Sequence, residues 1–291
     1  MTEGTIVKAL AGFYYVDTGD TVYACRARGI FKNEGIKPYV GDHVEIDITH
    51  EQDKEAVITA IGPRKNSFIR PPVVNVSQFA VIVAAAKPEP NMAVLDKFLV
   101  NAEKAHTDII ICINKTDIDK KGNTEILKKT YEGIYPVYSL CGKTGEGLDG
   151  LKEVLRGKRT AFAGPSGAGK STIINILHPQ ALAQTGVVSH KTSRGRHTTR
   201  HVELFSLEGG GEVFDTPGFT SFEAVDTDEQ ELAYLFPEIR SLAGKCRFDN
   251  CRHVAEPECV VRAAVEEGII TKSRYDSYVS QLVEIKARNT Y

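Results

Sequence analysis

The chain has 291 residues, 42% of them hydrophobic and 25% charged, and a net charge of −2. This is ordinary for a globular protein of two or three domains and offers no general basic excess, so any contact with nucleic acid must come from local patches. No apolar run approaches the roughly 20 residues that cross a bilayer, and the opening MTEGTIVKAL lacks the regions of a signal peptide, so a cytoplasmic protein without a membrane partner is expected.

Residues 1–70 read as several short strands: GTIVKALAGFYYVDT, TVYACRARGIF and DHVEIDIT alternate apolar and polar residues between Gly, Asp and Pro signals. That pattern predicts a small antiparallel barrel as the first domain. A break is expected at Arg70-Pro71-Pro72, where the texture changes. FAVIVAAA (79–86) and DIIICIN (108–114) are apolar throughout, as strands buried on both faces of a parallel sheet are. Between them Asn91 is placed to cap a helix carrying Val94, Leu95, Phe98, Leu99 and Ala102. YPVYS (135–139), RTAFAG (159–164), HVELFSL (201–207) and EVFDT (212–216) supply further strands. A doubly wound α/β domain over 71–222 is the expected result. A helical segment, 223–291, follows, with two amphipathic helices near 257–267 and 271–288.

Five groups of residues in the α/β segment point to a guanine nucleotide. Asn114-Lys115-Thr116-Asp117 follows a buried strand at its carboxyl end, where open α/β sheets bind ligands. The Asp117 carboxylate can accept from the ring N–H and the amino group of guanine, neither of which adenine offers. Asn114 would hold the loop, and the Lys115 stem would cover the base. Ser139 closes the next strand, where a backbone N–H is expected to meet the guanine oxygen.

Gly164-Pro165-Ser166-Gly167-Ala168-Gly169-Lys170-Ser171 matches GxxxxGKS between a strand and a helix that continues through Thr172. The glycines let backbone N–H groups converge on phosphates, Lys170 is expected at the β and γ phosphates, and the Ser171 hydroxyl at magnesium. The polar stretch Gly195-Arg196-His197-Thr198-Thr199-Arg200 carries the candidate switch threonine, Thr199. Asp215-Thr216-Pro217-Gly218 ends another strand, with Asp215 expected to hold magnesium through water and the Gly218 N–H to meet the γ phosphate.

These motifs run in permuted order. Ras-like GTPases begin with the P-loop, whereas here the base-reading loop precedes it; winding the same sheet from another strand produces that order. The position after Gly218 holds Phe219, where many GTPases place a water-orienting glutamine nearby, so intrinsic hydrolysis should be slow. His197 is the local candidate to replace it.

Cys246, Cys251, His253 and Cys259 form C-x4-C-x-H-x5-C, a donor set suited to tetrahedral structural zinc with no position left open for catalysis.

With these residues in place, the chain resembles the bacterial small ribosomal subunit-dependent GTPase A family over nearly its whole length. The order of the motifs carries the resemblance, together with RGIFKNEGIKPYVGDHVEI (28–46) and the zinc pattern. It implies an OB-fold first domain and GTP/GDP, Mg2+ and one Zn2+ as cofactors. It also implies a monomeric late-stage maturation factor whose GTPase is stimulated by the small subunit, its 16S rRNA and proteins. In the family a histidine before two threonines is the proposed catalytic group, which maps onto His197. Gly167 stands where some permuted GTPases carry Asn, so potassium activation is not implied. An OB barrel binds RNA through aromatic platforms and cations, for which Phe13, Tyr14, Tyr15, Tyr23, Arg26, Arg28, Phe31 and Lys32 are candidates. The competing readings are a GTP-dependent RNA or protein scaffold whose turnover is incidental, and a P-loop kinase, against which Asp117 argues.

Overall fold

The computed structural model describes residues 2–29, 31, 35–69, 71–179, 202–215 and 227–289. The first five strands are β1 (Thr2–Leu10), β2 (Phe13–Asp17), β3 (Val22–Ala27), β4 (His43–His50) and β5 (Glu55–Ile61). A short antiparallel hairpin follows, β6 (Ser67–Ile69) and β7 (Pro72–Val74). Then come β8 (Gln78–Ala84), α1 (Met92–Lys104), β9 (Asp108–Asn114), α2 (Asn123–Tyr131), β10 (Val137–Ser139), α3 (Leu148–Leu155), β11 (Arg159–Ala163) and α4 (Lys170–Leu177). The last strands are β12 (Glu203–Ser206) and β13 (Glu212–Asp215), before α5 (Glu231–Tyr234), α6 (Pro237–Arg240), α7 (Val260–Glu266) and α8 (Lys272–Asn289). The chain divides into two compact units, one of residues 1–78, 149–162 and 171–219, the other of 79–148, 163–170 and 220–291.

In the first unit β1-β2-β3-β5-β4 form a sheet that β4 closes back onto β1. The alternation read from the sequence is the alternation of burial: Ile6, Val16, Cys25, Val44, Ile46 and Ile58 all point inward. Four pairs are antiparallel, but β3 and β5 run parallel. An odd ring cannot alternate direction at every pair, so a wholly antiparallel barrel of five strands is impossible. Two of the aromatic residues proposed for RNA, Tyr23 and Phe31, are buried, at 6% and 7% exposure, and belong to the core; Lys32 lies outside the described residues. Phe13 and Tyr14 stay partly exposed, and the Arg26 guanidinium stands 4.6 Å above the Phe13 ring. The barrel is continuous with a second group of strands. β1 meets β12 at Lys8 and Glu203, β12 is antiparallel to β13, and β13 is parallel to β11.

In the second unit β8, β9 and β10 lie side by side, with β9 and β10 parallel. Every residue of β8 and six of seven in β9 are buried, which explains why neither strand alternates. Asn91 caps α1, its side chain accepting from the Val94 amide at 3.1 Å. The C-terminal helices share an apolar core of Leu232, Phe236, Ile239, Val261, Tyr278 and Leu282, joined by Val100 of α1. A charged pair, Arg274 and Asp96, is buried beside it. Arg274 of α8, 1% exposed, donates to Asp96 of α1 at 2.6 Å and to Glu238 of α6 at 2.7 Å. Tyr131 of α2 also donates to Asp96, at 2.8 Å. Among the described residues no helix is long and apolar enough to cross a membrane.

Candidate nucleotide site and metal centre

The loop between β11 and α4 is built on glycines whose replacement would strain it. At Gly164, φ is +137° and a Cβ would lie 2.1 Å from the Ile82 carbonyl oxygen of β8. At Gly169, φ is +100° and a Cβ would lie 2.1 Å from the Asn114 side-chain nitrogen. Both are backbone positions that an L side chain rarely adopts. Between them Ser166 and Gly167 are exposed and Ala168 is buried.

Asn114 ends β9 and is 2% exposed. Its Nδ2 donates to the Ala168 carbonyl at 2.9 Å, and its Oδ1 accepts from the Gly142 amide at 2.9 Å. One side chain therefore joins the phosphate-type loop, the end of β9 and the loop after β10. Lys115 follows in the left-handed region at φ 63°, and its ammonium donates to the carbonyls of Gly167, at 2.7 Å, and of Lys87. The Thr116 hydroxyl donates to the Leu140 carbonyl at 3.1 Å. Asp117 lies in the 3-10 turn Thr116–Ile118 and is exposed. The structure brings Asn114, Lys115 and the loop at Gly167–Ala168 into one neighbourhood. Asn114 and Lys115 are already committed to holding it together, and the Asp117 carboxylate remains open to solvent.

Ser139 is the last residue of β10, and its hydroxyl is buried with no hydrogen-bond partner among the described residues. The amide fastened to the Asn114 side chain belongs to Gly142, three residues on. Sequence reading missed Gly142, together with Asp119, which supports the loop between β9 and α2 by accepting from the Thr124 amide and hydroxyl at 2.7 Å and from the Asn123 amide at 3.2 Å. The Thr124 amide is the largest cause that holds the Asp119 carboxyl down at about 2. An Asp one turn before a helix is an available signal for such a cap.

Lys170 opens α4, and its ammonium donates to the Gly164 carbonyl at 2.6 Å and to Pro165 at 2.9 Å. Burial pushes this lysine down to about 8. Ser171 and Thr172, in the first turn of α4, are exposed. Asp215 ends β13 opposite Glu203. Burial, then the Glu203 charge, raises its carboxyl above the usual range, the condition a cation would reverse. His197, Thr199 and Gly218 lie outside the described residues.

The four C-terminal donors converge. Nδ1 of His253 lies 3.6 Å from Cys246 Sγ, 3.5 Å from Cys251 Sγ and 3.4 Å from Cys259 Sγ, and the first and last sulfurs are 4.0 Å apart. A tetrahedral zinc requires about 3.6 Å between sulfur and nitrogen and about 3.8 Å between sulfurs. The donors therefore fit a closed Cys3His site through Nδ1. Burial lowers the His253 pKa and favours the neutral, ligating imidazole. A second layer orients the segment: Tyr275 donates to the His253 carbonyl at 2.7 Å and Tyr278 to the Arg252 carbonyl at 2.8 Å.

Comparison with known proteins agrees along the chain. The family model described as RsgA GTPase matches residues 61–225, and that of the RsgA N-terminal domain matches residues 3–58. Relatives named small ribosomal subunit biogenesis GTPase RsgA include one from Alkaliphilus metalliredigens, 45% identical with 100% of each chain covered, and one from Bacillus subtilis, 43% identical with 99% of each covered. Among solved structures, YjeQ from Thermotoga maritima matches with a TM-score of 0.83 at 35% identity over 98% of both chains. YloQ, a circularly permuted GTPase, matches with a TM-score of 0.79 at 40% identity, covering 99% of this chain and 96% of that one. The permuted order read from the motifs is thus the order of the fold.

Proposed function

The chain belongs to the RsgA GTPase family, and from that premise we propose that it hydrolyses GTP as a maturation factor of the small ribosomal subunit. The observation that carries the reading is the position of Asn114, whose side chain bonds the loop at Ala168 and the loop at Gly142 together. Base recognition and phosphate binding then share one frame. Asp117 reads the two guanine donors, Lys115 lies along the base, and Ser139 or the amides that follow it meet the guanine oxygen. The amides of residues 164–172 take the phosphates, and Lys170 exchanges its two loop carbonyls for phosphate oxygens.

Magnesium fits the hydroxyl of Ser171 and the carboxylate of Asp215, with Thr199 joining when the γ phosphate is present; bound there, it would neutralise charge on the phosphates. Gly218 donates its amide to the γ phosphate, and His197 orients the attacking water in place of the glutamine that Phe219 excludes. The Cys3His set holds one structural zinc. The barrel contributes the RNA contact, with partly exposed Phe13 and exposed Arg26 available for stacking, and the protein acts as a cytoplasmic monomer.

Single-turnover hydrolysis of GTP with and without purified small subunits tests the proposal. A slow intrinsic rate that rises at least about a hundredfold, the scale on which an added catalytic group acts, supports it. An unchanged rate at saturating subunits refutes it and leaves a nucleotide-dependent scaffold.

A further inference from the structure

The barrel turn Tyr39–His43 makes contacts that the nucleotide site does not require. Asp42 is fully buried and holds the turn: its carboxylate accepts from Nε and Nη2 of Arg64, each at 2.7 Å, and from the Tyr39 amide at 2.7 Å. Within it Gly41 adopts φ +98°, and a Cβ there would lie 2.3 Å from the Val74 carbonyl oxygen and 3.0 Å from the Phe214 ring. The Gly41 amide donates to Ile6 of β1 at 2.8 Å. Its carbonyl accepts from Nη1 of Arg159 at 3.0 Å.

Arg159 is the first residue of β11, the strand that runs into the loop at Gly164. Its Nε donates at 2.7 Å to Glu212, its cross-strand partner and the first residue of β13. Its backbone amide donates to the Ser77 hydroxyl at 2.7 Å. Phe214, packed under Gly41, immediately precedes Asp215. With a side chain only 12% exposed, Arg159 is too enclosed for an ordinary surface pair. A planar guanidinium can serve acceptors on two elements at once, which a lysine ammonium does with less fixed geometry.

We propose that Arg159 is a positioning residue that ties the barrel turn at Gly41 to the roots of β11 and β13. A partner docked on the barrel then biases the placement of Gly164 and Asp215, and a nucleotide bound at those strand ends is felt in the barrel. The proposal rests on the reading that the barrel meets the small subunit. Coupling of this kind is reciprocal, so it can be measured from the nucleotide side with no subunit present.

The test uses the full-length chain in three forms: wild type, Arg159→Met and Arg159→Lys. Hydrogen exchange at the amides of Gly41 and Asp42 is compared between the GDP-bound protein and the protein bound to a non-hydrolysable GTP analogue. Wild type should show a nucleotide-dependent change of at least about fivefold, the lower end of ordinary allosteric couplings. Arg159→Met should lose it while GDP affinity and the melting temperature stay near wild type, and Arg159→Lys should retain part of it. Subunit stimulation should fall in the same order, with the basal rate unchanged. A wild-type nucleotide response in Arg159→Met, or none in wild type, overturns the proposal. Absence of subunit stimulation in wild type would instead sink the functional reading, and the exchange measurement would still decide this one. If Arg159→Met does not fold, the graded response of Arg159→Lys decides: no reduction contradicts the proposal.

Discussion

Replacing Gly169 with alanine tests whether the two loops share one frame. The added Cβ would stand 2.1 Å from the Asn114 nitrogen at a φ of +100°, so both the backbone and Asn114 must give way. The left-handed backbone costs an L residue about 1–2 kcal/mol. Displacing Asn114 forfeits its hydrogen bonds to Ala168 and Gly142, each worth about 0.5–1.5 kcal/mol net. The free protein relaxes to avoid these costs, and nucleotide must restore the original loop to bind. The sum, about 2–5 kcal/mol, therefore appears in affinity as a loss of roughly 30-fold to a few thousandfold.

Gly167→Ala is the control. Its φ is +76°, but its Cβ would meet only Pro88 at 3.5 Å, so it carries the backbone term alone. Its expected loss is about 5- to 30-fold. Titration of a fluorescent GDP analogue, beside thermal melts of each variant, gives both numbers. If Gly169→Ala binds within threefold of wild type, or if Gly167→Ala loses as much as Gly169→Ala, the shared frame is refuted.

Lys170 predicts a pH dependence of nucleotide binding. Its pKa of about 8 in the free protein rises when phosphates favour the ammonium, so its contribution is complete below pH 8 and declines as pH rises above it. Calorimetry at pH 8.5 in buffers of different ionisation heat should show proton uptake on GDP binding, absent in Lys170→Arg; equal heats in wild type would contradict it. Purified protein should carry one zinc per chain by elemental analysis, and Cys251→Ser should lose it and melt earlier while binding GDP nearly as well. Metal retained in Cys251→Ser would mean the donors do not act together. Arg274→Met strips the paired guanidinium from buried Asp96 and Glu238 and should destabilise by about 3–5 kcal/mol. Denaturant unfolding monitored across both units measures it, and a loss below 1 kcal/mol would mean the carboxylates are already satisfied.

The sequence was most readable where one residue type serves one purpose. The apolar runs of β8 and β9, the Asn91 cap, the glycines at 164 and 169 and the Cys3His spacing all state a local requirement, and the structure meets each one. It was least readable where a contact joins distant segments. Nothing around Arg274 distinguishes it from the exposed lysines of a charged helix, yet its guanidinium bridges α8 to α1 across 178 positions. Arg159 looks like any strand residue until Gly41 and Glu212 are seen beside it. Gly142 escaped for a related reason: a backbone amide leaves no mark in the side-chain code, and only the Asn114 oxygen reveals it. The parallel β3–β5 pair is a consequence of ring closure by an odd number of strands, which no local pattern encodes.

The central claim is that this frame selects guanine through Asp117 and turns a P-loop into a GTPase site. Equilibrium competition of GDP, ADP and XDP against wild type and Asp117→Asn tests it most directly. Wild type should prefer GDP over ADP by at least about a hundredfold, because adenine leaves the carboxylate without either donor. Asp117→Asn should shift its preference from GDP to XDP. Equal binding of GDP and ADP by wild type, or an unchanged preference in Asp117→Asn, would contradict the account.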